Sequence, residues 1–262
     1  MDWLYLLGVL LCLILYFSIF FVIAQIKKNN AIVDIAWGLG FVVIAWYSLI
    51  YQWIKVGTPY LFQFVVTGLT TLWGFRLFFY ISIRNFKKPE DFRYQDMRKK
   101  WAGKNPYIQA FFRVFMAQAG FMSLISLPIL AAYTATKESP LWLVIPGGIV
   151  FLIGLFFEAI GDAQLRAFIK KPENRGHIMQ SGLWKYTRHP NYFGETLIWW
   201  GLWIVVLGAD YGPYALFSPL LITYLLLFVS GIPLLEKKYA DHPEFQDYKR
   251  RTSVFFPCPP KK

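Results

Sequence analysis

Long apolar runs separated by short polar segments organise the whole chain. Seven such runs stand out, roughly at 3–24, 31–54, 59–83, 110–134, 140–163, 191–209 and 212–235. Each is close to the about 20 residues that a helix needs to cross about 30 Å of hydrocarbon. The pattern predicts an all-α, polytopic membrane protein with about seven transmembrane helices. The first run is longer than the core of a secretory signal, has no basic segment before it and no small-x-small site after it, so it reads as a span. No tandem repeat, low-complexity tract or independently folding polar stretch interrupts the series. The expectation is therefore one integral membrane domain over residues 1–262.

Composition agrees and narrows the classes. Hydrophobic residues make up 56% of the chain and charged residues 16%, where a soluble domain carries about 25% charged residues. Disorder and an ordinary cytosolic globule are excluded on that balance. Two cysteines, Cys12 and Cys258, leave no disulfide framework or thiolate cluster to consider. The net charge of +12 is distributed unevenly. Basic residues are plentiful in the first, third and fifth connections and in the tail, with eight in 84–109, six in 164–190 and seven from 236 onward. The connections between these hold Lys55, Lys137 and no base at all. The positive-inside bias then predicts an N-terminus outside and a cytoplasmic C-terminus. Topology and attraction to anionic headgroups account for 84–109. A nucleic-acid partner is not expected, because the basic segments are short and anchored at the membrane.

Ionisable groups inside apolar spans cost at least about 2.5–3.5 kcal/mol at mid-membrane, so each is a functional candidate. They are Asp34, Arg76, Arg113, Glu158, Asp162 and Glu195. Arg113 lies near a span end and can snorkel. Glu158, Asp162 and Arg166 follow one another at four-residue spacing, as do Asn191 and Glu195, and Arg76 and Tyr80. Such spacing stacks side chains on one helix face. Interhelical hydrogen bonding explains one polar ladder; three at similar depth, with Asp34 in Asp34-Ile35-Ala36-Trp37-Gly38, suggest a shared polar cavity.

Residues 173–195 carry the densest chemistry. Gly176 and Gly182 permit tight turns, and Pro190 suits the first turn of a helix. A helix N-terminus beside Arg188 and His189 favours an anion, and Trp184, Tyr186 and Tyr192 offer flat faces for a heterocycle. The three histidines, His177, His189 and His242, lack ligand-like spacing, so no metal is expected. No glycine-rich nucleotide loop or nucleophile elbow occurs.

The run Arg188-His189-Pro190-Asn191-Tyr192-Phe193-Gly194-Glu195, preceded by Gly182-Leu183-Trp184, resembles the cytosolic motif of the steroid 5-alpha-reductase and membrane sterol reductase superfamily. The whole chain resembles a bacterial branch allied to its C-terminal domain, through Asp34–Gly38, Trp73-Gly74-Phe75-Arg76-Leu77 and the tail Tyr248–Pro257. That resemblance implies an oxidoreductase of lipid metabolism in the bacterial cytoplasmic membrane. It would reduce an activated C=C bond in a steroid- or isoprenoid-like lipid with NADPH, bound on the cytosolic side of residues 135–262. Asp162, Arg166, Arg188, His189, Asn191, Tyr192 and Glu195 would line the cofactor, with Tyr248 and Arg251 closing over it. Six bases against one acid in 164–190 favour the phosphates of NADPH over a cationic sulfonium. Residues 1–134 would serve the substrate. There Asp34 or Tyr80 would hydrogen-bond its carbonyl, and Arg76 would either position that donor or pair with Asp34. The Gln-Glu pair of the 5-alpha-reductases is missing, Asp34 and Trp73 standing where its Glu and a nearby Tyr would be, which argues against a true 3-oxosteroid. An S-adenosylmethionine-dependent methyltransferase of the isoprenylcysteine carboxyl type and a non-enzymatic lipid-binding bundle are the alternatives.

Overall fold

The computed structural model of the protein describes residues 2–85 and 88–261, and these are helical with no strand among them. Lys87 and Lys262, counted among the basic residues above, lie outside the described residues. The helices are α1 (Trp3–Ile26), α2 (Ile32–Val56), α3 (Leu61–Asn85), α4 (Phe92–Lys100), α5 (Pro106–Ile125, π-helical at Phe111–Met116) and α6 (Leu127–Tyr133). They are followed by α7 (Leu141–Lys170), α8 (Pro190–Val206), α9 (Phe217–Tyr224, continued by π-helical Leu225–Val229), α10 (Ile232–Lys238) and α11 (Pro243–Arg251).

Six stretches of the described residues are long and apolar enough to cross a membrane: Trp3–Lys27, Ile32–Val56, Leu61–Asn85, Pro106–Ile125, Leu141–Lys170 and Pro213–Lys238. The remaining expected span, 191–209, is α8, a helix of 17 residues that stops at Val206. It stops because the chain turns back there, with Ala209 N–H donating to the Val206 carbonyl at 2.9 Å. The expected 110–134 span is also divided. Pro128 has no N–H to donate back to the preceding turn, so α5 ends at Ile125 and α6 starts anew at Leu127, with the proline in its first turn. Exposed side chains recur at helical spacing, Leu7, Leu11 and Leu15 on α1 and Ile145, Ile149, Leu152 and Phe156 on α7. An apolar exposed stripe inverts the pattern of a soluble helix and suits lipid.

The chain forms two compact units, one from the residues up to Ser139 with Val206–Ala215, the other from Pro140–Val205 with Leu216 onward. In the N-terminal unit, α2 packs against both α1 and α3. Its contact with α3 is close: a Cβ on Gly38 would lie 2.5 Å from the Gly74 carbonyl oxygen, and one on Gly74 would lie 2.6 Å from that of Gly38. Buried polar groups pair across helices, Tyr5 with Ser48 at 2.7 Å and Tyr16 with the Ala36 carbonyl at 2.7 Å, as they must in a medium with no water to bond them.

In the C-terminal unit, glycines form a seam between α7 and α8. Gly147, Gly154 and Gly161 recur every seven residues on α7, and Gly194 and Gly201 do so on α8. A Cβ on Gly154 would lie 2.6 Å from the Gly194 carbonyl oxygen, and one on Gly201 would lie 2.5 Å from Phe151 N. The seam brings Gly161 of α7 against Pro190, which starts α8, so residues of the two helices meet where the candidate site begins.

Candidate functional site

In the C-terminal unit the residues before α8 are laid against α7 by a tight turn. Gly182 adopts φ +63°, a conformation that side chains resist. Leu183 N–H then donates to Gln164 Oε1 at 2.9 Å, and Trp184 Nε1 donates to the Gly161 carbonyl at 3.0 Å. The C-terminal tail closes this segment from the other side. Arg188 N–H donates to the Ser253 carbonyl, Thr187 Oγ1 to that of Phe255, and Cys258 N–H to that of Tyr186, at 2.8–2.9 Å. Tyr248, expected to cover a cofactor, is buried and its hydroxyl donates to the Trp184 carbonyl. Burial pushes its phenol up from the usual range. Arg251, expected beside it, is exposed and paired with Asp247.

Asp162 and Asn191 meet across the α7–α8 seam. Asn191 Nδ2 donates to Asp162 Oδ1 at 3.3 Å, and Asn191 Oδ1 is a buried acceptor with no hydrogen-bond partner among the described residues. Asp162 is 4% exposed and Glu158, one turn before it, 3%, while Arg166 one turn after it is exposed and Glu195 is half-buried. The ring of Tyr192 stacks on His189, centroids 5.6 Å apart and planes 13° apart.

Arg188 is turned inward. Its Nε and Nη2 each lie 2.8 Å from Glu236 Oε1, and Nη1 donates to the carbonyls of Thr252 at 2.6 Å and Lys249 at 3.2 Å. The expected cofactor cation thus fastens the tail to α10. Glu236 was not among the sequence candidates, because the apolar run was ended one residue before it. The signal available was Arg188 itself, since a buried guanidinium requires a carboxylate.

His189 shares Glu236, with Nε2 at 3.2 Å from Oε1. Burial holds its pKa below the usual range and Arg188 adds to this, while Glu236 opposes it. Glu236 also faces Lys249 of α11, at 3.4 Å from Oε2, and Tyr192 of α8 stacks on the ring. An unfolded histidine takes up its proton near about pH 6.5, and folded His189 does so at lower pH. Its contribution to stability is therefore complete above about pH 6.5 and is lost as pH falls through the folded value. The thermal midpoint of the wild type is expected to fall more steeply between about pH 7 and about pH 5 than that of His189→Gln. Equal slopes would contradict this account.

In the N-terminal unit, Asp34 lies near the start of α2 and accepts from Arg93 Nη2 at 3.0 Å and from the Tyr94 hydroxyl at 2.6 Å. Asp91 caps α4 by accepting from Arg93 N–H and also takes Arg93 Nε at 2.9 Å, so one guanidinium joins two carboxylates. Burial first, and then Asp34, raise the Tyr94 pKa well above its usual value. Asp34 is thus an acceptor from two donors, the arrangement of a carboxylate, whereas a donor to a substrate carbonyl needs the protonated form. Glu90 receives Arg98 Nε at 2.9 Å and Asn30 N–H at 2.7 Å. Two bases of 84–109 assigned to headgroups therefore tie α4 to the start of α2. On α3, Arg76 and Arg84 place their guanidiniums 5.3 and 5.4 Å from the centre of the Tyr80 ring.

Residues 20–252, nearly the whole chain, match the family described as "Protein of unknown function (DUF1295)". The chain belongs to this family. A stretch of 66 residues is 36% identical to "Probable O-methyltransferase ustE" of Ustilaginoidea virens, covering 25% of the chain and 23% of that relative. The chain thus aligns with less than a quarter of the curated relative it matches. No solved structure matches it.

Proposed function

We propose that the C-terminal unit holds a ribose-bearing cofactor at Asp162 and Asn191, and that the protein is a membrane enzyme acting on a lipophilic, steroid- or isoprenoid-like substrate. The observation that carries this reading is the pair itself. As a carboxylate Asp162 offers only acceptors, the Asn191 amide NH2 faces it, and Asn191 Oδ1 is left as a second buried acceptor beside it. Adjacent acceptors of this kind suit ribose hydroxyls, which carboxylates hold in nucleotide cofactors.

The chemistry we propose is NADPH-dependent reduction of an activated C=C bond, in line with the resemblance of 188–195 to the reductase motif. Bound NADPH would supply the hydride. Arg166, Tyr192 and Glu195 would complete the lining around Asp162 and Asn191, and Asp34, Arg76 and Tyr80 are the candidates for contact with the substrate within the N-terminal unit. Tyr80 is the better proton donor of these, since Asp34 is engaged as an acceptor. Methyl transfer from S-adenosylmethionine is the second reading, favoured by the printed name of the relative in Ustilaginoidea virens. The count of bases does not separate the two, because Arg188 is neutralised within the fold by Glu236. The alternation of basic connections supports α8 as a seventh span, a cytoplasmic C-terminus and a cofactor site facing the cytosol.

The test is a titration of the purified protein with NADPH, NADH and S-adenosylmethionine, read by quenching of tryptophan fluorescence. Saturable NADPH binding is expected. Asp162→Ala and Asn191→Ala should each weaken it about tenfold, the equivalent of about 1.4 kcal/mol. Asp34→Asn and Tyr80→Phe should leave affinity unchanged and lower turnover. Binding of S-adenosylmethionine alone would transfer the site to methyl transfer, and binding of neither would overturn the enzyme reading in favour of a lipid-binding bundle.

A further inference from the structure

Four donor atoms converge on Glu236. Arg188 Nε and Nη2 and His189 Nε2 face Oε1 at 2.8, 2.8 and 3.2 Å, and Lys249 Nζ lies 3.4 Å from Oε2. A carboxylate offers only lone pairs, so the histidine nitrogen that faces it carries the hydrogen. Charge then decides between the neutral ring and the imidazolium. Arg188 is always charged and is 6% exposed, and His189 is 5% exposed. The single negative charge of Glu236 is already matched by Arg188 and outnumbered once Lys249 is included. Among the described groups that join Glu236, a third cation would find no second counter-charge. The burial that holds His189 below its usual pKa acts in the same sense. With Nε2 carrying the hydrogen in a neutral ring, Nδ1 keeps its lone pair. Among the described residues no hydrogen bond is made to it: Glu236 is the ring's partner at Nε2, and Tyr192 stacks on one face.

We propose that Glu236 is a positioning residue that fixes His189 as the neutral Nε2–H tautomer, so that Nδ1 is presented as a hydrogen-bond acceptor to a hydroxyl or amino group of the molecule bound at the start of α8. The ligand half of this inference rests on the cofactor reading above; the tautomer half does not. A ribose hydroxyl and an adenine amino group, common to both candidate cofactors, have the donor chemistry that Nδ1 would take. A histidine with the opposite tautomer would offer a donor there and repel the carboxylate-side lone pair.

The chain has three histidines, His177, His189 and His242, which makes a direct spectroscopic test tractable. Protein labelled with 15N in histidine is placed in lipid nanodiscs at neutral pH, and long-range couplings within each ring report which nitrogen is protonated. His189 is assigned by its loss in His189→Gln. The expected wild-type result is a protonated Nε2 and a bare Nδ1; a protonated Nδ1, or both nitrogens protonated, overturns the inference. In Glu236→Gln, whose amide can donate or accept, the tautomer bias should relax toward a mixture. An unchanged single tautomer there removes the role given to Glu236. Where that variant does not fold, Glu236→Asp, which withdraws the oxygen by one methylene, replaces it with the same two outcomes. Saturating NADPH or S-adenosylmethionine should then move the Nδ1 resonance. A cofactor that quenches tryptophan fluorescence but leaves Nδ1 in place overturns the ligand half. Failure of both cofactors to bind strikes the functional reading, while the tautomer stands or falls on the wild-type spectrum alone.

Discussion

Arg188→Ala is expected to destabilise the C-terminal unit by about 3–5 kcal/mol, the cost of removing one partner from a buried ion pair, and to release the tail. Arg188 is 6% exposed and the Glu236 side chain 12%, so little solvent screening reduces that figure. The loss has two parts. Glu236 would keep only His189 and Lys249 as partners, and the carbonyls of Thr252 and Lys249 would lose the donor that draws the tail inward. The thermal midpoint should fall by roughly 10 °C, and limited proteolysis should begin to cut within residues 252–258. Glu236→Ala should behave alike, because it strands a buried guanidinium. Arg188→Lys should recover only part of the loss, since an ammonium cannot reproduce the planar fork that reaches Glu236 and two carbonyls at once. Replacing both members with methionine should recover much of the stability, as exchanging a buried pair for apolar groups of similar volume often does. A wild-type midpoint and wild-type cleavage pattern in Arg188→Ala would show that the guanidinium is not structural, and would return it to the cofactor.

The arrangement around Arg188 also marks how far the sequence could be read. Four-residue spacing placed Glu158, Asp162 and Arg166 on one face of one helix, and they do share α7. That inference needs only the helical period, which is local. What the period cannot give is the partner on another element. Arg188 and Glu236 are 48 residues apart, and Asp34 and Arg93 are 59 apart, so neither pair has a signature in spacing. Charge counting treated the bases of 84–109 as a field, whereas Arg93 and Arg98 are directed at particular carboxylates. The end of α8 was misplaced for a related reason. Residues 207–209 are apolar enough to extend a span, but the chain reverses there through its own backbone hydrogen bonds. The seven-residue recurrence of Gly147, Gly154 and Gly161 stands in the sequence but was not read as a seam, because a glycine period says nothing of which backbone approaches it until the partner helix is placed.

That seam gives the second large expectation. Gly194→Val should destabilise the C-terminal unit by about 3 kcal/mol, the upper end of the overpacking range, and weaken cofactor binding at the same time. A Cβ at this position would fall 2.5 Å from Glu158 N, 2.5 Å from the Gly154 carbonyl oxygen and 2.9 Å from Glu158 Cβ. Two of these three obstacles are backbone of α7, which cannot rotate away as a side chain can. The helices must separate there, about one turn from Asn191 and Asp162, whose 3.3 Å hydrogen bond spans the same gap. Gly194→Ala should show the same effects at smaller amplitude, since it carries the clash without the branches. Gly148→Ala is the internal control. It lies on α7 next to Gly147, but beyond its own turn of helix nothing stands within 4 Å of a Cβ there, so it should be neutral or stabilising by up to about 1 kcal/mol through helix propensity alone. Thermal midpoints and NADPH or S-adenosylmethionine titrations of the three variants separate the possibilities. Loss of affinity in Gly194→Ala that exceeds its loss of stability would tie the seam to the ligand site. Equal behaviour of Gly194→Ala and Gly148→Ala would mean that α7 and α8 tolerate separation, and that Asp162 and Asn191 do not depend on close packing to meet.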